Sequence, residues 1–289
     1  MPQRARPPTD LGAALRGVRA LLLDLDGVIV LAGEAIPGAA AALTELERRG
    51  LPYRIVTNTS AVSRATLSRW AAKLGAPIPP ERFESALSAS AAWTARHFKD
   101  RPLYVLASED ARTEFEGQRL LSHAQAGQRG ASAAAVVIGD SPEEATYDNL
   151  NRAFRLVLGG AALIGMHRNG WWLTPDGPTL DSGAFVTGLE FATARPATIV
   201  GKPSASFFTQ GVRDLRKEAG RDLARADIAM VGDDVRTDIR AAQRAGLRGI
   251  LVLSGKHAEA DIEVAAAERG GRWPDGVAAD LAAVVAALR

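Results

Sequence analysis

The sequence contains no cysteine. Disulfides, thiolate nucleophiles and thiolate metal sites are therefore excluded, and nothing demands an oxidising compartment. An uninterrupted apolar run of membrane-spanning length is missing as well. The nearest candidate, residues 154–166, carries Arg155 and is cut by Gly159 and Gly160. Arg4 and Arg6 stand beside Pro7 and Pro8 in a stretch that reads as a disordered end, and no apolar core of signal-peptide length follows them. There is no excess of one charge: 35 Lys and Arg stand against 33 Asp and Glu, a net charge of only +2, although the pI is about 9.1. The basic residues are scattered among acids, which disfavours nucleic acid as a partner. Four histidines, His97, His123, His167 and His257, show no metal-ligand spacing and read as surface or packing residues. Internal repeats are absent. The expectation is a soluble, cytoplasmic protein with neither a membrane nor a nucleic acid partner.

What remains is a chain of 289 residues, 47% hydrophobic and 24% charged, enough for one large or two ordinary domains with a sizeable core. Its most informative stretch is residues 20–28, Ala-Leu-Leu-Leu-Asp-Leu-Asp-Gly-Val. An apolar run of strand length ends in Asp24 and Asp26, which flank Leu25. Alternation along a strand sends the two aspartates to one side. Continuous apolar strands are typical of buried parallel sheets, whose ligands sit beyond the carboxyl ends of the strands. Two neighbouring carboxylates repel unless a cation lies beside them, and a divalent metal with oxygen ligands answers that need. An ordinary polar turn is equally compatible with this stretch taken alone.

Along the chain, residues 37–50 read as a helix, 53–57 as a strand ending at Asn58, and 63–74 as a helix with Trp70 and Leu74 on one face. That alternation is the βαβ rhythm of an α/β, doubly wound parallel sheet. It continues through a helix over 88–99, an extended run over 103–106, a helix over 109–116 and a strand over 134–138. Asp140 follows that strand, but Ser141, Pro142 and Glu144 have the spacing of a capping box, which makes Asp140 a decoy. A helix to about Leu158, an extended 162–165, the pair Trp171-Trp172 in a strand and a helix over 183–194 come next. Two bulky aromatics in a strand read as packing rather than as a pocket lining.

Residues 197–200 form a strand followed by Gly201-Lys202-Pro203-Ser204. A P-loop needs a glycine five positions before Gly201, where Pro196 stands, so that motif fails. Lys202 is left at a strand end, before a helix with Ser204 at its cap position. Strand 227–231 then ends in Gly232-Asp233-Asp234-Val235-Arg236-Thr237-Asp238, opening a helix that closes at Gly246; acids in a first turn also suit the helix dipole. A strand over 249–253 and a terminal helix over 279–288 complete the chain.

Four strand ends thus carry Asp24 and Asp26, Thr57 and Asn58, Lys202, and Asp233 with Asp238. In one parallel sheet all would lie along one edge. Together they contain what phosphoryl transfer needs: a carboxylate nucleophile, a magnesium site, phosphate clamps and an acid or base.

Asp-Leu-Asp-Gly-Val (24–28), Val-Thr-Asn (56–58), Gly-Lys-Pro (201–203) and Gly-Asp-Asp-Val-Arg-Thr-Asp (232–238) resemble, in order and setting, the four motifs of haloacid dehalogenase superfamily phosphatases. The resemblance spans residues 20–288. It implies a Rossmannoid catalytic core over 1–83 and 196–289, with an inserted α/β cap over 84–195 that governs substrate specificity. The long insertion resembles the cap of the subclass with NagD, pyridoxal phosphatase and 4-nitrophenylphosphatase. Residues 150–156, 183–190 and 200–203 with Phe207-Phe208 resemble the phospholysine phosphohistidine inorganic pyrophosphate phosphatase branch, which also holds haloacid dehalogenase-like hydrolase domain-containing protein 2.

By this resemblance Asp24 attacks phosphorus and ligates magnesium. Asp26 serves as acid and then base, and gives its backbone carbonyl to the metal. Thr57, Asn58 and Lys202 hold the phosphate, and Asp233 is the remaining metal ligand. Asp238 orients waters or Lys202, and Asp234 sits outside the ligand set. A small phosphorylated substrate, such as a phosphoamino acid or pyrophosphate, and a homodimer are further expectations. A receiver-like phosphoacceptor fits less well, because Asp26 would shorten the life of a phosphoaspartate. A non-catalytic scaffold would not need the full motif set, and a carbon–halogen hydrolase would have no use for the metal-binding acids.

Overall fold

A computed structural model describes residues 10–220, 222–255, 259–268 and 272–288. Arg4, Arg6, Pro7, Pro8 and His257 lie outside them. The protein is mixed α/β with parallel sheets, and it divides into two compact units. The first comprises residues 1–57, 70–83 and 202–289, and the second comprises residues 58–69 and 84–201.

The first unit carries a six-stranded sheet in the order Gly276–Ala278, Arg248–Val252, Ile228–Gly232, Ala20–Leu23, Tyr53–Thr57, Phe83–Ser85. The pairings among the first five of these are parallel, with Leu22 opposite Met230 on one side and Arg54 on the other. Ala20 to Leu23 and Ile228 to Val231 are fully buried, as expected of strands covered on both faces. From Ala20–Leu23 the chain steps outward in one direction, then returns to the opposite side with Ile228–Gly232. The strand order therefore reverses between these two neighbours, and such a switch point is where open α/β sheets bind ligands.

The second unit has its own four-stranded parallel sheet, ordered Thr198–Ile199, Ala162–Gly165, Ala135–Ile138, Leu103–Leu106. Helices Tyr147–Leu158 and Gly183–Thr193 contribute Leu156, Val157, Val186 and Leu189 to its core. Residues 58–69 join this unit through polar contacts. Ser63 donates from its backbone N and its Oγ to Asp110, at 2.7 and 3.0 Å, and Arg64 pairs with Glu114 at 2.8 Å. Residues 196–201 join it because Thr198–Ile199 is hydrogen-bonded to the Ala162–Gly165 strand.

Several local expectations need correction. Ser141 does not open a helix: the backbone N–H groups of Glu144 and Ala145 donate to its carbonyl in an isolated turn. The helix starts at Tyr147, where Thr146 accepts from the Asn149 amide and is the better-placed cap. Ser204 holds the cap position of Ala205–Ala219, but its side chain meets Ser206 Oγ at 2.7 Å instead of an amide. On the helix over Arg64–Lys73 the buried stripe is Leu67 and Ala71, while Trp70 is half exposed. Trp171 and Trp172 are not packed away either, being 54% and 43% exposed. They lie on a two-stranded antiparallel ribbon with Gly177–Leu180, which is too small a sheet to cover two indoles. Among the described residues no helix is long and apolar enough to cross a membrane.

Candidate active site

Strand Ala20–Leu23 delivers Asp24 to the switch point. The backbone N of Asp24 donates to Val231 O at 2.9 Å, so sheet pairing continues one residue past the strand and fixes where the side chain begins. Its Oδ1 then accepts from the Leu25 amide at 2.8 Å. Leu25 turns into the core, whereas Asp26 is exposed and makes an isolated bridge to Val30. The strand itself stops at Leu23, before both aspartates, of which Asp24 is buried and Asp26 exposed.

The neighbouring strand Ile228–Gly232 delivers Asp233, which is buried. Asp234 accepts from the amides of Arg236 and Thr237 and so caps the π-helical turn Val235–Arg240. That turn carries Asp238 inward, completely buried, where its Oδ2 accepts from the Asp234 amide at 3.1 Å. Asp234 is thus spent on the cap, as the helix-terminus reading of the acids predicts. Lys202 begins the last stretch of this unit, only 2% exposed, and its Nζ lies 2.8 Å from Asp24 Oδ1 and 2.7 Å from Asp238 Oδ1. Thr57 ends strand Tyr53–Thr57, fully buried. Asn58 belongs to the second unit, where its Nδ2 donates to Asn169 Oδ1 at 3.3 Å.

Asp24, Asp233 and Asp238 each present a carboxylate oxygen within 4.8 Å of the others. Among the described residues, three buried carboxylates face one buried ammonium, an excess of negative charge that a further cation or protons would balance. The acid–base behaviour follows. Burial pushes the Asp24 carboxyl up to about 6, opposed by Lys202 and reinforced by Asp233 and Asp26. Burial likewise pushes Asp238 up to about 7, with Asp24 adding to the effect and Lys202 opposing it. For Lys202, burial alone would lower the pKa, but Asp238 and Asp24 outweigh it and hold the ammonium charged. A donor set made only of carboxylate oxygens, with charge to neutralise, fits a hard divalent cation such as magnesium.

The described histidines, His97, His123 and His167, are not part of this cluster of carboxylates. His97 stacks on Trp93, His123 meets Tyr104 and Glu144, and His167 is buried beside Ser60. Asp140 is raised to about 6 by burial and by Asp181. Two contacts at the site escaped the sequence reading, Gly27 and Gly255, whose backbones lie against Asp233. Gly255 follows strand Arg248–Val252, and the only trace of it in the sequence is a glycine just after an apolar run.

A family profile described as haloacid dehalogenase-like hydrolase matches residues 21–120, and a second, HAD-hydrolase-like profile matches residues 199–284. Haloacid dehalogenase-like hydrolase domain-containing protein 2 of Mus musculus is 38% identical over 255 residues, covering 87% of this chain and 90% of its own. The phospholysine phosphohistidine inorganic pyrophosphate phosphatase of Homo sapiens is 33% identical over 258 residues, covering 86% and 88%. Among solved structures, the 4-nitrophenylphosphatase of Thermotoga maritima superposes with a TM-score of 0.82 at 24% identity, over 96% of this chain and 99% of that one. The p-nitrophenyl phosphatase of Archaeoglobus fulgidus gives 0.81 at 25% identity, over 94% and 99%. A strand order that reverses between Asp24 and Asp233, a buried lysine between two aspartates and these likenesses agree: the chain belongs to the haloacid dehalogenase-like hydrolases, as an enzyme of their phosphatase type.

Proposed function

We propose that this enzyme is a magnesium-dependent phosphatase that hydrolyses a small phosphorylated molecule through an aspartyl-phosphate on Asp24. The observation that carries the proposal is the buried triad of Asp24, Asp233 and Asp238, two of which, Asp24 and Asp238, hold the Lys202 ammonium. Asp24, Asp233 and the Asp26 backbone carbonyl would hold the ion. When bound, it supplies positive charge that offsets the phosphate's own and steadies the charge developing on it.

A carboxylate oxygen of Asp24 attacks phosphorus, the bond from phosphorus to the leaving oxygen or nitrogen breaks, and Asp26 gives that atom a proton. Asp26, now a carboxylate, takes a proton from water. The hydroxyl adds to phosphorus, the bond to Asp24 breaks, and inorganic phosphate departs with both aspartates restored. The exposure of Asp26 suits a group that must exchange protons with water, while burial of Asp24 keeps the nucleophile in a fixed pose. Thr57 and Asn58 bind phosphate oxygens, Lys202 neutralises phosphate and Asp24 together, Asp238 orients Lys202, and Asp234 holds the turn that carries Asp238.

Residues 1–83 and 196–289 would form the catalytic part, and residues 84–195 a cap that sets which leaving group is accepted. We place phosphoamino acids and pyrophosphate first among substrates, supported by identity to the phospholysine phosphohistidine inorganic pyrophosphate phosphatases. A homodimer and a cytoplasmic location complete the proposal. The dimer is supported by apolar side chains of the second unit that meet water, Tyr147 at 80% and Phe191 at 91% exposure. The location is consistent with a chain that has no cysteine to oxidise.

The test is phosphate release from a panel of phosphoesters, phosphoramidates and pyrophosphate, with and without magnesium. Magnesium-dependent release from at least one member is expected. No release from any of them would favour a scaffold on this fold.

The raised Asp24 carboxyl sets a pH dependence. Metal binds the carboxylate, so protons compete with it below the pKa. With Asp24 at about 6, roughly one quarter of it is ionised at pH 5.5 and nearly all at pH 7.5. Magnesium affinity, read by calorimetric titration, should therefore strengthen about fourfold between these pH values. Equal affinity at both would show that protons do not compete with the ion for Asp24 in this range.

A further inference from the structure

Asp233 is enclosed by the backbones of two glycines from the strands on either side of its own. Gly27 follows strand Ala20–Leu23, and Gly255 follows strand Arg248–Val252, the two neighbours of Ile228–Gly232 in the sheet. A Cβ on Gly27 would lie 2.4 Å from Asp233 Cγ, and a Cβ on Gly255 would lie 2.1 Å from Asp233 Oδ2 and 2.4 Å from its Cβ. Neither contact is possible for a side chain, so both positions must be bare for Asp233 to sit where it does. At Gly27 the backbone adds a second requirement, a φ of +76°. At Gly255 the requirement is space alone.

The two glycines are also tied together. Ser254 Oγ donates to Gly27 O at 2.7 Å, and the Gly27 amide donates to Val30 O at 2.7 Å. The hydroxyl of Ser254 thus closes a clasp across the end of the Asp233 strand and sets the width of the slot in which the carboxylate is held.

We propose that Ser254 and Gly255 are positioning residues that fix the Asp233 carboxylate for magnesium and so help select that ion over larger ones. The inference rests on the function proposed above. Its physical basis is the difference between the two cations. Magnesium demands near-octahedral geometry at about 2.0–2.1 Å, whereas calcium accepts irregular shells at about 2.3–2.6 Å. A carboxylate that cannot rotate or retreat favours the ion with the stricter demand. A methyl group at position 255 would push Asp233 away from its place without removing a ligand or changing a charge.

The experiment is direct titration of magnesium and of calcium into the full chain, for the wild type, Gly255→Ala, Ser254→Ala and Asp233→Asn, with circular dichroism as the control for folding. Gly255→Ala is expected to weaken magnesium binding about tenfold and calcium binding less than about threefold. Ser254→Ala, which opens the clasp without adding an atom, is expected to weaken magnesium about threefold, and it carries the test should Gly255→Ala not fold. Unchanged magnesium affinity in Gly255→Ala and Ser254→Ala, beside loss in Asp233→Asn, would overturn the clasp and leave the phosphatase proposal standing. Equal weakening of both ions in Gly255→Ala would also overturn it, since a collapsed site does not discriminate. A wild type that binds neither ion would instead overturn the function on which the inference rests.

Discussion

Asn in place of Asp24 should reduce phosphate release by at least about 10⁴-fold, the scale on which an enzyme loses its covalent nucleophile. The same variant should make the metal-free protein harder to unfold at pH 8. Burial holds the Asp24 carboxyl well above its ordinary value, so ionising it opposes the fold once the pH passes about 6. Its amide counterpart carries no charge, and its oxygen can still accept from the Leu25 amide and from Lys202, as Asp24 Oδ1 does at 2.8 Å to each. A gain of about 1–3 kcal/mol, read by urea titration without metal, follows from a shift of this direction and size. Magnesium should reverse the order, stabilising the wild type by mass action and the Asn variant much less. Activity that survives in Asp24→Asn would remove Asp24 from the nucleophile's role. An apo variant less stable than the wild type would show that the buried carboxylate is already compensated.

The sequence discloses the α/β class and the polar ends of the strands because both depend on short, local patterns. Leu21, Leu22 and Leu23 are apolar on both faces and so announce a covered parallel strand, and Asp24 follows directly at its carboxyl end. Ser141 misled because a capping box records only that amides need acceptors, a need that an isolated turn meets equally well. The tryptophans at 171 and 172 misled because strand propensity gives no measure of how much sheet surrounds the strand. Gly255 was invisible for a deeper reason. Its importance lies in what a Cβ would touch, Asp233, and that contact exists only once strand Arg248–Val252 has been laid beside Ile228–Gly232. Lys202 is the intermediate case. Its place at a strand end was legible, but its simultaneous approach to Asp24 and Asp238 depends on a π-helical turn that the heptapeptide 232–238 does not announce.

That double contact makes Lys202→Met the most destabilising change expected at the site. The ammonium is the positive charge shared by Asp24 and Asp238, and removing one partner of a buried ion pair commonly costs about 3–5 kcal/mol because the remaining charge has lost its compensation. The cost should depend on pH in a definite direction. Both carboxyls have folded-state pKa values above their unfolded ones, about 6 and about 7, even with the lysine present. Groups raised in this way favour the fold while protonated, and that contribution disappears as the pH climbs from the unfolded value through the folded one. Without Lys202 the opposing influence on both is gone, so protonation becomes the main route to neutrality. The deficit of Lys202→Met relative to the wild type should therefore be small at pH 5 and grow from neutrality upward, levelling off only above the variant's own, still higher carboxyl pKa values. Lys202→Arg should not rescue it, because a planar guanidinium cannot occupy the compact, fully buried place of an ammonium between two carboxylates. Urea titrations of the metal-free proteins at pH 5 and pH 8 provide the measurement. A variant that unfolds at the same urea concentration as the wild type at pH 8 would mean that Asp24 and Asp238 are neutral there with or without the lysine. The buried charge that draws the metal would then be absent.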